Sequence, residues 1–83
     1  MHTVGQGCDE VAQWISDYLA EHPDAADTAE GVRRWWLAPR HGEVAPELVE
    51  QALETLKRSG VVSIRAIAGR KVYGRGPAPA ARP

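Results

Sequence analysis

The sequence predicts a mainly α-helical domain with a small β-hairpin, three helices followed by a two-stranded ribbon. Three observations carry that prediction. After Pro46, the residues Leu48, Val49, Ala52, Leu53 and Leu56 recur at helical spacing and form one apolar stripe. Gly60 follows Lys57-Arg58-Ser59, as where a helix is closed by a left-handed residue. Val61 to Ile67 is rich in β-branched residues, and Arg70-Lys71-Val72-Tyr73 can return beside it across an Ala68-Gly69 turn.

The first helix is expected from Cys8 or Asp9 to His22. Val11, Trp14, Ile15, Tyr18 and Leu19 make its core face, and Asp9, Glu10, Gln13, Asp17 and Glu21 take the opposite side. Pro23 ends it by disfavouring a helical residue before it. Asp24 to Asp27 leaves room for a bridge strand at most. A second helix is then expected, with Asp27 as its cap and Glu30 reaching back to it. Ala29, Val32, Trp35 and Trp36 form its inner side. Gly31 in the first turn costs up to about 1 kcal/mol against alanine, which suggests close packing against another backbone. Pro39 is expected to end this helix, leaving Ala38 to Ala45 as a link in which Val44 covers the start of the third helix. That helix runs from Pro46 to Ser59, with proline at a first position where its missing N–H is harmless. In the first strand Val62, Ile64 and Ala66 are the inward set.

Length and composition bound the rest. Eighty-three residues allow one domain. Residues 1–7 read as a flexible leader, 8–75 as the packed domain, and 76–83 as a disordered Pro/Ala tail. A domain this small buries only about 60% of its unfolded surface, so a partner or a second copy would help it. One cysteine leaves no intrachain disulfide, and no apolar run reaches the length of a membrane span. Neither a signal peptide nor a membrane association is evident, and a cytoplasmic location is expected.

All eleven acidic residues lie between Asp9 and Glu54, opposed there only by Arg33, Arg34 and Arg40. From Thr55 onward come Lys57, Arg58, Arg65, Arg70, Lys71, Arg75 and Arg82, and no acid. A basic end on an otherwise acidic domain faces a partner, or is simply solvated.

Three helices closed by a hairpin resemble the winged helix-turn-helix superfamily, in its small prokaryotic-type form. The resemblance covers Asp9 to Arg75. It rests on the first-helix face, on the stretch Thr28 to Leu37, and on Val49 to Val62, where a helix closes on a basic pair and glycine before the wing. It implies the fold; winged helices serve both as DNA readers and as protein-docking modules. In DNA-binding members the third helix enters the major groove and the wing touches backbone or minor groove. Here the third helix departs from that pattern. Its outward residues are Glu47, Glu50, Gln51, Glu54, Thr55 and Arg58, and three carboxylates oppose phosphate attraction. As structural residues they are well placed, Glu47 and Glu50 for the helix dipole and Glu54 for a pair with Arg58.

The expected DNA contacts are therefore Arg65, Arg70, Lys71 and Arg75 on the wing and Lys57 and Arg58 at the adjoining helix end. Arg33 and Arg34 on the second helix and Gln51 on the third would add to them. The same wing charges would also guard the ribbon against edge-to-edge pairing. The rival reading is a docking module that presents Glu47, Glu50, Glu54 and a tryptophan of the Trp35-Trp36 pair to a protein partner. Adjacent helical residues point about 100° apart, so one indole of that pair enters the core and the other does not. Trp14 and Tyr18 are core residues whose outer parts suit a homodimer seam. His2, His22, His41 and Cys8 lack metal-ligand spacing. The segment Gly74-Arg75-Gly76 does not open a helix as a phosphate loop would. With no nucleophile-base order either, no enzyme, cofactor or small-molecule substrate is expected.

Overall fold

The computed structural model describes residues 7–77; the expected leader at 1–6 and the tail from 78 onward lie outside them. Helix α1 (Cys8–Glu21) is followed by the two-residue strand β1 (Ala26–Asp27). A continuous helical stretch comes next: α2 (Ala29–Gly31), a π-helical segment (Val32–Leu37) and α3 (Ala38–His41). Helix α4 (Pro46–Ser59) leads into strands β2 (Val62–Ile67) and β3 (Arg70–Arg75). The sheet is antiparallel in the order β1-β3-β2, so β1 closes one edge of the hairpin and β2 is the other edge. Helices plus a small three-stranded sheet in this order are compatible with the winged helix that the sequence resembles.

The core lies where α1, the π-helical segment and α4 meet beneath the sheet. Val11, Ile15 and Leu19 of α1 pack with Val32, Trp36 and Leu37, with Val49, Ala52, Leu53 and Leu56 of α4, and with Val62 and Tyr73. Val44, in the link before α4, is buried in the same cluster.

The end of α4 shows why its glycine is needed. Gly60 has φ 85° and ψ 0°, and its N–H donates to the Leu56 and Lys57 carbonyls. The Val61 N–H then donates to the Leu56 carbonyl at 2.9 Å, completing a Schellman closure that turns the chain into β2. At the ribbon tip both Ala68 and Gly69 have positive φ, the backbone of a type I′ hairpin turn.

The middle of the chain differs from the sequence expectation in three ways. The N-cap is Thr28, whose hydroxyl accepts from the Gly31 N–H at 3.1 Å; Asp27 belongs to β1 and accepts from the Thr28 N–H at 2.8 Å. Glu30 does not reach back; it pairs forward with Arg33 at 2.8 Å and Arg34 at 3.1 Å. Nor does Pro39 end the helix. The Ala38 N–H donates to the carbonyl of Arg33, five residues back, and this wide turn comes just before the proline. The ring, which would crowd a carbonyl four residues back in a regular helix, is accommodated there.

The added helical turn has consequences for packing. It sets the His41 ring flat on Trp14, with centroids 3.8 Å apart, and lets Arg40 pair with Glu21 at 2.9 Å. The residues expected to form a link instead fasten α3 to α1. Tyr18 is likewise occupied within the chain, stacked on Trp36 at 4.7 Å and tilted against His22 at 4.4 Å.

Gly31 is close-packed as expected, but against a side chain. A Cβ there would meet the Asp27 carboxyl carbon at 2.0 Å. The carboxylate cannot swing away without releasing the Thr28 N–H. Gly31→Ala should therefore destabilise the domain by about 1–3 kcal/mol despite alanine's better helix propensity. Urea unfolding of Gly31→Ala, Asp27→Ala and the double variant checks this. The double variant should recover part of the loss; additive losses would show that the two sites do not collide.

Candidate functional site

The ribbon is built by register. Ile64 faces Tyr73, Ala66 faces Lys71, Arg65 faces Val72 and Ile67 faces Arg70. Opposed residues of an antiparallel pair share a face. The inner face therefore carries Val62, Ile64 and Ala66 with Arg75, Tyr73 and Lys71. The outer face carries Ser63, Arg65 and Ile67 with Gly74, Val72 and Arg70. The inward set is the one expected, but only Val62 and Ile64 reach the core. From Arg65 to Lys71 every residue is exposed, so the tip stands clear of the helices.

The four ribbon cations thus divide between two faces, Arg65 and Arg70 outside, Lys71 and Arg75 on the register of the inside. They share another property. Among the described residues, Arg65, Arg70, Lys71 and Arg75 make no ion pair, and neither does Lys57. The helical arginines are otherwise. Arg33 and Arg34 share Glu30, Arg40 holds Glu21, and Arg58 lies 4.0 Å from Glu54. The hydrogen bonds from Arg33 hold the Glu30 carboxyl below its usual range, and the same bonds raise the Arg33 guanidinium. Arg33 and Arg34 sit on the helical stretch already engaged, so they offer a ligand less than the ribbon does.

Helix α4 presents Glu47, Glu50, Gln51, Glu54 and Thr55 to solvent, as its spacing predicts. Its carboxylates act on the ribbon's inner face. Burial, then the charges of Glu50 and Glu54, raise the Tyr73 phenol above its ordinary value of 10.0. Below about pH 10 the phenol is neutral in both the folded and the unfolded chain. Above it the unfolded chain ionises first, so stability should fall as pH rises through the folded value. An absorbance titration should find the Tyr73 midpoint above 10.0, moving down in Glu50→Gln/Glu54→Gln. A midpoint at or below the ordinary value would contradict this.

The tryptophan pair divides as expected, with Trp36 4% exposed and Trp35 65% exposed. In the π-helical segment Val32, Trp36 and Leu37 are the buried residues, and Trp35, expected on the inner side, stands in solvent. Trp36 is thereby removed as a partner-binding residue.

One feature escaped the sequence reading. A shallow groove of about 300 Å³ runs over the outer sheet face, lined among others by Ala26, Ser63, Arg65, Ile67 and Val72. Its floor exists because β1 pairs with β3, Ala26 against Gly74. A Cβ on Gly74 would lie 3.4 Å from the Ala25 carbonyl oxygen, an ordinary contact, so the pairing does not itself demand glycine there. Ile67, at the groove's outer end, is 53% exposed.

Among the described residues, no group of three or more His, Cys, Asp or Glu side chains is placed to hold a metal ion. Cys8 Sγ lies 4.0 Å from Thr55 Oγ1, His41 is stacked on Trp14, and His22 is against Tyr18. His2 falls outside the described residues. Among the described residues, no helix is long and apolar enough to cross a membrane. No protein-family model matches the sequence, and no curated protein or solved structure is similar enough to stand as a relative.

Proposed function

We propose that this chain is a small cytoplasmic winged-helix protein that contacts duplex DNA through the β2–β3 ribbon, in a gene-regulatory role. The observation that carries the reading is the contrast in pairing. Among the described residues, every arginine on the helices has a carboxylate partner within 4.0 Å, whereas the ribbon cations have none. Unpaired exposed cations on a projecting tip are free to replace counterions on phosphates, which is the main source of sequence-independent affinity. Their division between two faces counts against a single basic face, and the reading rests on the tip alone, where Arg70 and Lys71 adjoin the turn. Helix α4 is then held away from the duplex by its own charge. Such contact is weak, salt-sensitive and poor in base readout.

A second reading has one observation in its favour. Trp35 is a large exposed aromatic of the kind that anchors protein interfaces, and with Glu47, Glu50 and Glu54 it would make the chain a docking module. Fluorescence anisotropy with a generic labelled duplex separates the two. The DNA reading expects binding at low salt whose logarithm falls with log salt at a slope of about −3 to −4, for three or four phosphate contacts. No binding at low salt would set it aside.

A further inference from the structure

We propose that the outer face of the ribbon docks on helix α4 of a second copy of this chain, giving head-to-tail self-association. The outer face offers Arg65 and Arg70 with Ile67 beside them, all exposed. By register the two arginines are diagonal neighbours, about 7–8 Å apart. Helix α4 offers Glu47, Glu50 and Glu54 on one exposed stripe, at steps of about 4.5 and 6 Å along the axis. The spacings match within the reach of an arginine. The charges on both sides are available, because Arg65, Arg70, Glu47 and Glu50 have no ion pair among the described residues and Glu54 has only the 4.0 Å approach of Arg58.

The chain cannot satisfy this complementarity by itself. Its own α4 lies under the inner face, where Glu50 and Glu54 act on Tyr73, while Arg65 and Arg70 point to the other side. Only another molecule can bring carboxylates to them. The contact would also cover Ile67, the ribbon's one large exposed apolar side chain. Donor and acceptor surfaces are different patches, so the contact is heterologous and need not close at two copies. Because its partners are solvent-exposed ions, it is weak and disappears when salt screens them.

Sedimentation velocity without nucleic acid tests this independently of the DNA reading. At about 20 mM salt the full chain should sediment progressively faster as its concentration rises towards about 1 mM, and at about 500 mM it should sediment as a monomer. Arg65→Glu/Arg70→Glu alone and Glu47→Lys/Glu50→Lys/Glu54→Lys alone should each remain monomeric at low salt. Mixed, they should associate again, since each then carries the charge complementary to the other's. Circular dichroism establishes that both variants keep their fold, and Arg65→Gln/Arg70→Gln gives a milder version of the same loss. A monomer at every concentration in low salt would overturn the proposal. So would association that survives in either reversed variant, or folded variants that fail to associate on mixing.

Discussion

Leu53→Ala should leave the domain barely folded. Leu53 is fully buried at the centre of α4, among side chains from α1, the π-helical segment and the sheet. Truncating a leucine at such a site removes its transfer free energy and leaves a cavity, together about 2–5 kcal/mol. A domain of this size has about 0.05–0.15 kcal/mol of stability per residue, roughly 4–12 kcal/mol in all. One substitution therefore removes a large share of the total. Urea unfolding should show a midpoint far below that of the parent, with a similar slope if the transition stays two-state. Glu47→Ala, on the exposed side of the same helix, should change stability by no more than about 0.5 kcal/mol. A loss below about 1 kcal/mol for Leu53→Ala would mean that α4 is not the centre of the core.

The second large effect is functional. Arg70→Glu with Lys71→Glu reverses two unpaired charges beside the ribbon turn, one on each face. Two phosphate contacts become two repulsions, and binding to generic duplex should fall below detection at salt concentrations where the parent binds. A milder pair, Arg70→Gln with Lys71→Gln, should retain weak binding with a salt slope shallower by about 2. Neither pair should disturb folding, since both residues are exposed and lie beyond the core. Glu50→Ala should leave DNA binding unchanged or strengthen it, because removing a carboxylate near the duplex lessens repulsion. Retained binding in the reversed pair would place the contact elsewhere, with Lys57, Arg65 and Arg75 the remaining unpaired cations among the described residues.

How far these features can be read from the sequence follows from where each is encoded. The ribbon and α4 are written locally: Pro46 opens, Gly60 closes, and Ala68-Gly69 turns. Each needs only its own neighbours to take its conformation, and all three do so in the structure. Sequence spacing from Asp27 to His41 speaks only to a regular helix, and a π turn breaks that regularity. A wide turn has no compositional mark, so neither the burial of Leu37 beside Trp36 nor the passage through Pro39 followed from spacing. Threonine and aspartate at 28 and 27 are both good caps, and pairing of β1 with β3 decides between them. That pairing is non-local. The candidate site shows the same division. Its residues were legible because the cations cluster after Thr55, but their division between two faces required the register. The outer groove is a property of three strands and escaped a two-stranded reading.

The most direct measurement is a backbone NMR titration of the full chain with generic duplex DNA at low salt. The account predicts that the amides of Arg65 to Lys71 shift together and saturate, with Gln51, Glu54 and Thr55 nearly unmoved. Shifts centred on α4 with a still ribbon, or no shift anywhere, would contradict it.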